Sequence, residues 1–119
     1  MSRNSAHQPD ARELRVLDAL LTQEFEGVVE LRAQVPECKF EEVDEDGTLA
    51  VHASGPRANV KFRVPVEAIY ADADGVMVHV LLHVVGGRLD EVEVFREDGD
   101  SVVRKPATEI ANFEYMVLG

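Results

Sequence analysis

The chain has 119 residues, 23 acidic against 12 basic, for a formal net charge of −11. A chain of this length fits one domain and buries roughly two thirds of its unfolded surface, and a hydrophobic content of 45% excludes a disordered polymer. No window holds three adjacent Lys or Arg, so the basic patch of a nucleic-acid binder is absent.

Cys38 is the only cysteine, which excludes an internal disulfide. The opening MSRNSAHQPD lacks the apolar stretch of a secretory signal. No apolar run approaches the ~20 residues of a membrane span. These features predict a soluble, cytoplasmic protein with no membrane or nucleic-acid partner. The acidity fits a basic protein partner, but it is also a common route to solubility.

Residues 1–9 are polar and aperiodic, and are expected to be a flexible tail before a single domain over 10–119. In DARELRVLDALLTQEF, Leu14, Leu17, Leu20, Leu21 and Phe25 fall on one stripe at helical spacing. Asp10 reads as the N-cap with Glu13 completing a capping box, and Gly27 as the stop. In VVELRAQV, Val29, Leu31, Ala33 and Val35 alternate with polar residues, which predicts a half-buried strand ended by Pro36. KFEEV and TLAVHA read as strands joined by Asp44-Glu45-Asp46-Gly47, with Phe40 opposite His52 and Cys38 opposite Ser54. SGPRAN is a loop. VKFRV and PVEAIYA read as strands with a bend at Pro65, followed by VMVHVLLHVV, LDEVEVFR and a short SVVR. A helical turn from Pro106 and a strand around 113–118 complete the chain.

Glycine-closed corners set the register. A three-residue hairpin loop is a type I turn closed by a residue with positive φ, usually Gly. Placing Gly75, Gly87 and Gly99 there pairs Asp72 with Val76, Val84 with Arg88, and Arg96 with Asp100. One face then gathers Val66, Ala68, Tyr70, Val78, Val80, Leu82, Val92, Val94 and Val102 without a charge in its middle. A two-residue loop at Gly86-Gly87 would shift parity and set Leu82 against Glu91. The prediction is a four-stranded meander over 66–104, with Val80 opposite Val92 and His79 opposite Glu93. The other face carries Met77, His79, Leu81, His83, Leu89, Glu91, Glu93, Phe95 and Val103.

The chemistry-bearing residues do not converge. His79 and His83 share a strand face but lie ~13 Å apart, too far for one ion held at ~2 Å from each ligand. DEDG and DADG lack the spacing and flanking helices of a calcium loop. A Cys38–His52 dyad would have neither an orienting acid nor an oxyanion site, and a buried cysteine is the simpler reading. No catalytic set, metal site or cofactor is expected.

Residues 64–103 carry a recognisable order: an apolar strand, an Asp-Gly turn, Leu81-Leu82-His83-Val84, Gly87, then Leu89 through Gly99. This stretch resembles a family of small uncharacterised bacterial proteins of actinomycete type. Gly86 stands where an Asp is usual in that family, and Phe95 where a Tyr is common. The resemblance implies a fold and carries over no catalytic residue. Small acidic proteins of this build also serve as immunity proteins beside toxins, which is an analogy.

The expected architecture is α+β: one N-terminal amphipathic helix on a twisted, mainly antiparallel meander sheet of about six to eight strands. The leading functional expectation is a small acidic interaction protein, with an immunity-type inhibitor of a basic partner as one form. Its candidate contact residues are His79, Glu91, Glu93, Phe95, Glu97, Asp98 and Asp100. The alternatives are a homodimer formed through open sheet faces or edges, and a ligand or enzyme pocket between helix and sheet using Tyr70, His83 or Tyr115.

Overall fold

The structure, a computed structural model, describes residues 6–119. Six strands form one antiparallel sheet: β1 (Lys39–Glu42), β2 (Leu49–His52), β3 (Val66–Ala71), β4 (Met77–Val85), β5 (Arg88–Arg96) and β6 (Glu114–Val117). Their order is β1-β2-β5-β4-β3-β6. The meander β3-β4-β5 forms the centre, the β1–β2 hairpin joins it at β5, and β6 pairs with β3. Two helices, α1 (Ala11–Leu20) and α2 (Val28–Gln34), complete an α+β fold. Its extents of 41 × 40 × 22 Å are those of a slab one sheet and one helix layer thick.

α1 starts where its cap dictates. Asp10 Oδ1 accepts the Glu13 N–H at 2.8 Å, and the Asp10 N–H donates back to the Glu13 carboxylate at 3.1 Å. Val16, Leu17, Leu20, Leu21 and Phe25 are buried, while Leu14 is only half-buried. These side chains pack with Val66, Ala68, Tyr70, Val78, Val80, Leu82, Val92 and Val94 in one core.

The strand expected over VVELRAQV is a helix. The segment satisfies two periods at once: alternation at Val29, Leu31, Ala33 and Val35, and helical spacing at Val28, Leu31 and Val35. Its Glu, Leu, Arg, Ala and Gln are good helix formers, and Gly27 supplies the left-handed start at φ +93°. Val28 and Leu31 are buried, and Val29 is 66% exposed. Helix α1 ends at Leu20, well before Gly27, so that glycine starts α2 and does not stop α1.

β3 and β4 pair as the first Asp-Gly corner predicts, with Tyr70 opposite Val78, Ala68 opposite Val80 and Val66 opposite Leu82. The next corner differs. Gly86-Gly87 is a two-residue loop, with Val85 opposite Arg88 and Val84 opposite Leu89. A bulge then inserts Asp90, so that His83 faces Glu91 and parity is restored. The valine face survives, but the register moves by two residues: Val80 meets Val94 and His79 meets Phe95. The bulge also turns Leu89 into the core. Gln34 supports this corner from α2. Its amide donates to the carbonyls of Pro56 and Gly87 at 2.8 and 2.9 Å, and its Oε1 accepts the Leu89 N–H at 2.9 Å.

Three further expectations are corrected. SVVR is not a strand. β5 pairs with β2 instead, where Leu49 faces Val92 and the Thr48 hydroxyl accepts the Val94 N–H at 2.9 Å. VKFRV forms bends, touching β4 through the Val84 N–H and the Arg63 carbonyl at 2.8 Å. In the first hairpin Phe40 faces Val51 and Lys39 faces His52, a one-residue shift. It leaves Cys38 buried and His52 exposed, so they form no dyad. Of the expected tail, residues 1–5 lie outside the described residues, and His7 forms an isolated bridge with Phe40.

Candidate functional site on the open sheet face

Both helices pack on the valine face. The opposite face, built from alternate residues of all six strands with Glu114 and Met116 at the β6 edge, carries no helix among the described residues. It presents Lys39 and Glu41 from β1, Ala50 and His52 from β2, Glu91, Glu93 and Phe95 from β5, Met77, His79, Leu81 and His83 from β4, and Glu67 and Ile69 from β3. Strand pairing places these side chains, because every second residue must point away from the core.

Each histidine on this face holds a glutamate. His52 Nε2 lies 2.9 Å from Glu41, His83 Nε2 lies 2.8 Å from Glu93, and His79 bridges two carboxylates, Glu67 through Nδ1 and Glu97 through Nε2, both at 2.8 Å. The His79 ring stacks on Phe95 at 5.0 Å and 6° between planes. Burial opposes charge on His79, but the hydrogen bonds from both ring nitrogens to Glu67 and Glu97 outweigh it, so its pKa is raised. The result is a Glu–His ladder spanning β1 to β3, with Met77, Leu81, Ile69 and Phe95 set among the charges.

The top of the sheet is held by a second network. Arg96, only 4% exposed in its side chain, pairs with Asp72 at 3.1 Å, Asp74 at 2.9 Å and Asp98 at 2.7 Å. Asp72 is buried and also accepts the N–H groups of Ala73, Val103 and Arg104. Burial raises its pKa, but those N–H groups and Arg96 prevail and bring it to about 2. Arg96 likewise lowers Asp98 to about 2. The DADG and EDGD corners thus clasp one arginine, and Asp72 ties the 103–104 segment to the sheet.

The structure brings together five of the seven residues singled out from sequence: His79, Glu91, Glu93, Phe95 and Glu97. Asp98 turns to Arg96, and Asp100 sits in the turn, its N–H donating to Asp98 at 3.0 Å. Glu67, His83 and His52 belong to the ladder and were not among those seven. The missed signal is the Asp90 bulge, which decides which glutamate each histidine meets. Tyr70 and Tyr115 are not near His83: they flank Phe113 on the helix side, where the Tyr70 hydroxyl donates to the Arg104 carbonyl at 2.6 Å.

With this geometry established, comparison with known families is informative. A domain of unknown function, DUF6984, matches residues 6–106. The chain belongs to the DUF6984 family. Comparison with curated proteins and with solved structures found no match. The DUF6984 span includes both helices, strands β1 to β5 and the whole Glu–His ladder, but not β6. No helix among the described residues is long and apolar enough to cross a membrane.

In this DUF6984 protein, His83, Glu91 and Glu93 place ligand atoms within 4.8 Å of one another, close enough for a shared cation. The surrounding hydrogen bonds favour a proton there instead. Arg63 Nε donates to His83 Nδ1 at 3.1 Å, which leaves the proton on Nε2, facing Glu93. A metal-bound histidine has the reverse arrangement, a lone pair toward the metal and its second N–H given to an acceptor.

Proposed function

We propose that this chain is an acidic binding protein whose open sheet face receives a basic protein surface, in the manner of a stoichiometric, immunity-type inhibitor. The observation that carries this reading is the uncovered Glu–His ladder. Glu41, Glu67, Glu91, Glu93 and Glu97 share the face and outnumber the permanent cations Lys39 and Arg88 at its strand positions and Arg63 beside His83. Buried interfaces combine apolar and aromatic anchors with a charged surround, and Phe95, Leu81, Ile69 and Met77 supply such anchors here. Opposite charge speeds encounter and rejects wrong partners. The hydrogen bonds from His79 and His83 hold the carboxylates in fixed positions, which lowers the ordering cost of binding.

The test is affinity capture from the source cell with three baits: the native chain, a Glu91→Lys/Glu93→Lys chain, and an Asp18→Lys/Glu24→Lys control on the helix side. A basic protein retained by the native and control baits and lost by the face variant supports the reading. Equal recovery by all three baits, or none by the native chain at low salt, refutes it.

A further inference from the structure

We infer that β6 is a dimerisation edge, through which two copies of this chain join their sheets into one twelve-stranded sheet. This proposal does not depend on the identity of any basic partner.

The two edges of the sheet are finished differently. The β1 edge carries Lys39, Glu41 and Glu42, and its backbone is already engaged: the Phe40 N–H and C=O both bond His7 at 2.8 Å. Charges and a covering segment are how native edges avoid further pairing. The β6 edge is tied down only past its end, where the Glu26 N–H donates to the Gly119 carbonyl at 3.0 Å; among the described residues no backbone segment pairs with the outer side of Glu114–Val117. This edge reads Glu-Tyr-Met-Val with one charge, and Met116 is 60% exposed with Val117 and Leu118 also exposed.

The register identifies which backbone groups are free. The Leu118 N–H donates to the Pro65 carbonyl at 2.8 Å, so even-numbered residues of β6 direct their N–H and C=O groups toward β3. The N–H and C=O groups of Tyr115 and Val117 therefore face outward. Antiparallel pairing about a two-fold axis at Met116 sets Tyr115 opposite the second copy's Val117, and the reverse. This makes two hydrogen-bonded pairs from these four outward groups.

The side chains suit a second copy. Tyr115 against Val117 is an aromatic–β-branched cross-strand pair. Met116 meets Met116 on the open face, and Glu114 meets Leu118, not another glutamate. The two Glu114 residues stand four positions apart, ~13 Å along the strand, beyond the ~8 Å screening length at physiological salt. The two Glu114 carboxylates therefore repel each other little across the seam. A two-fold axis perpendicular to the sheet leaves both open faces on the same side.

The test combines mass and cross-linking. Sedimentation of the full chain should show the 13.2 kDa species giving way to one of about twice that mass as concentration rises. Val117→Pro removes only an outward N–H, a change that edge strands tolerate, and should keep the chain monomeric with unchanged circular dichroism. Met116→Cys places two thiols opposite each other about 4.5 Å apart at Cα, within disulfide reach. It should oxidise to a covalent dimer, and Glu114→Cys should not; the buried Cys38 does not compete. The inference is overturned if the native chain stays at 13.2 kDa throughout, if Val117→Pro dimerises as well as the native chain, or if Met116→Cys cross-links no faster than Glu114→Cys. Should the proline variant fail to fold, the two cysteine variants decide alone.

Discussion

Gly87 shows how much one residue constrains this molecule. It sits at φ +78°, and a Cβ added there would lie 2.7 Å from the Ala58 carbonyl oxygen and 2.8 Å from Arg57 Cβ. Gly86, its neighbour, has φ +60° but nothing nearer than an arginine nitrogen at 3.8 Å. Gly87→Ala should therefore cost about 2–4 kcal/mol, combining backbone strain with overpacking. Gly86→Ala should cost about 1 kcal/mol, from the backbone alone. Chemical denaturation of the two variants checks the difference. Asp72 is the second such residue. Truncating it to Ala leaves Arg96 with a buried charge partly unpaired and should cost about 3–5 kcal/mol. The pKa values of Asp72 and Asp98 fall from 3.8 to about 2 on folding. Their contribution is thus full above pH 3.8 and fades as pH falls toward 2. His79 has the opposite sign. Its pKa is raised on folding, so its contribution is full below 6.5 and fades as pH climbs through the higher folded value. Ring-proton NMR titration of the native chain should find His79 titrating above 6.5, and Glu67→Gln should bring it down.

At the scale of elements, legibility followed the strength of a single period. α1 was readable because its stripe and its Asp10–Glu13 cap agree. The β3–β4 hairpin was readable because Asp74-Gly75 admits one loop and the flanking valines fix parity. α2 was misread because Val28, Leu31 and Val35 satisfy the helical period while Val29, Leu31, Ala33 and Val35 satisfy the strand period. Only tertiary packing on the core chooses between them. The β4–β5 register was misread for a subtler reason. A two-residue loop followed by a one-residue bulge gives the same parity as a three-residue loop, so face membership was correct past the bulge while the pairing was not, and Leu89, ahead of the bulge, fell on the core face instead of the open one. SVVR lost its place to β2, a long-range choice invisible in local pattern. The helix at α2 has a direct check. Val29→Glu should change stability by no more than about 0.5 kcal/mol, as an exposed helical site allows. A strand with Val29 turned inward would lose several times that.

The whole molecule is a two-layer slab whose composition is divided by face. Valine and leucine fill the side under the helices, and glutamate with histidine fills the other. The candidate surface was visible in the sequence as an alternation of ionisable and apolar residues along VMVHVLLHVV and LDEVEVFR. The ladder's connectivity was not, because it depends on the Asp90 bulge and on Glu67 and His52 arriving from separate strands. Protonation of His79, whose pKa is raised on folding by Glu67 and Glu97, makes this face less negative, so affinity for a basic partner should fall as pH drops through that raised value. Binding measured by calorimetry at alkaline, neutral and mildly acidic pH with a captured partner would report it.

The most direct test of the open face as a contact surface is carboxyl footprinting, comparing the chain in dilute buffer with the chain in an extract of its source cell. The account predicts that Glu67, Glu91, Glu93 and Glu97 become protected in the extract while Asp18, Glu24 and Glu26 on the helix side label as before. Protection confined to the helix side, or equal labelling of both faces in both conditions, would contradict it.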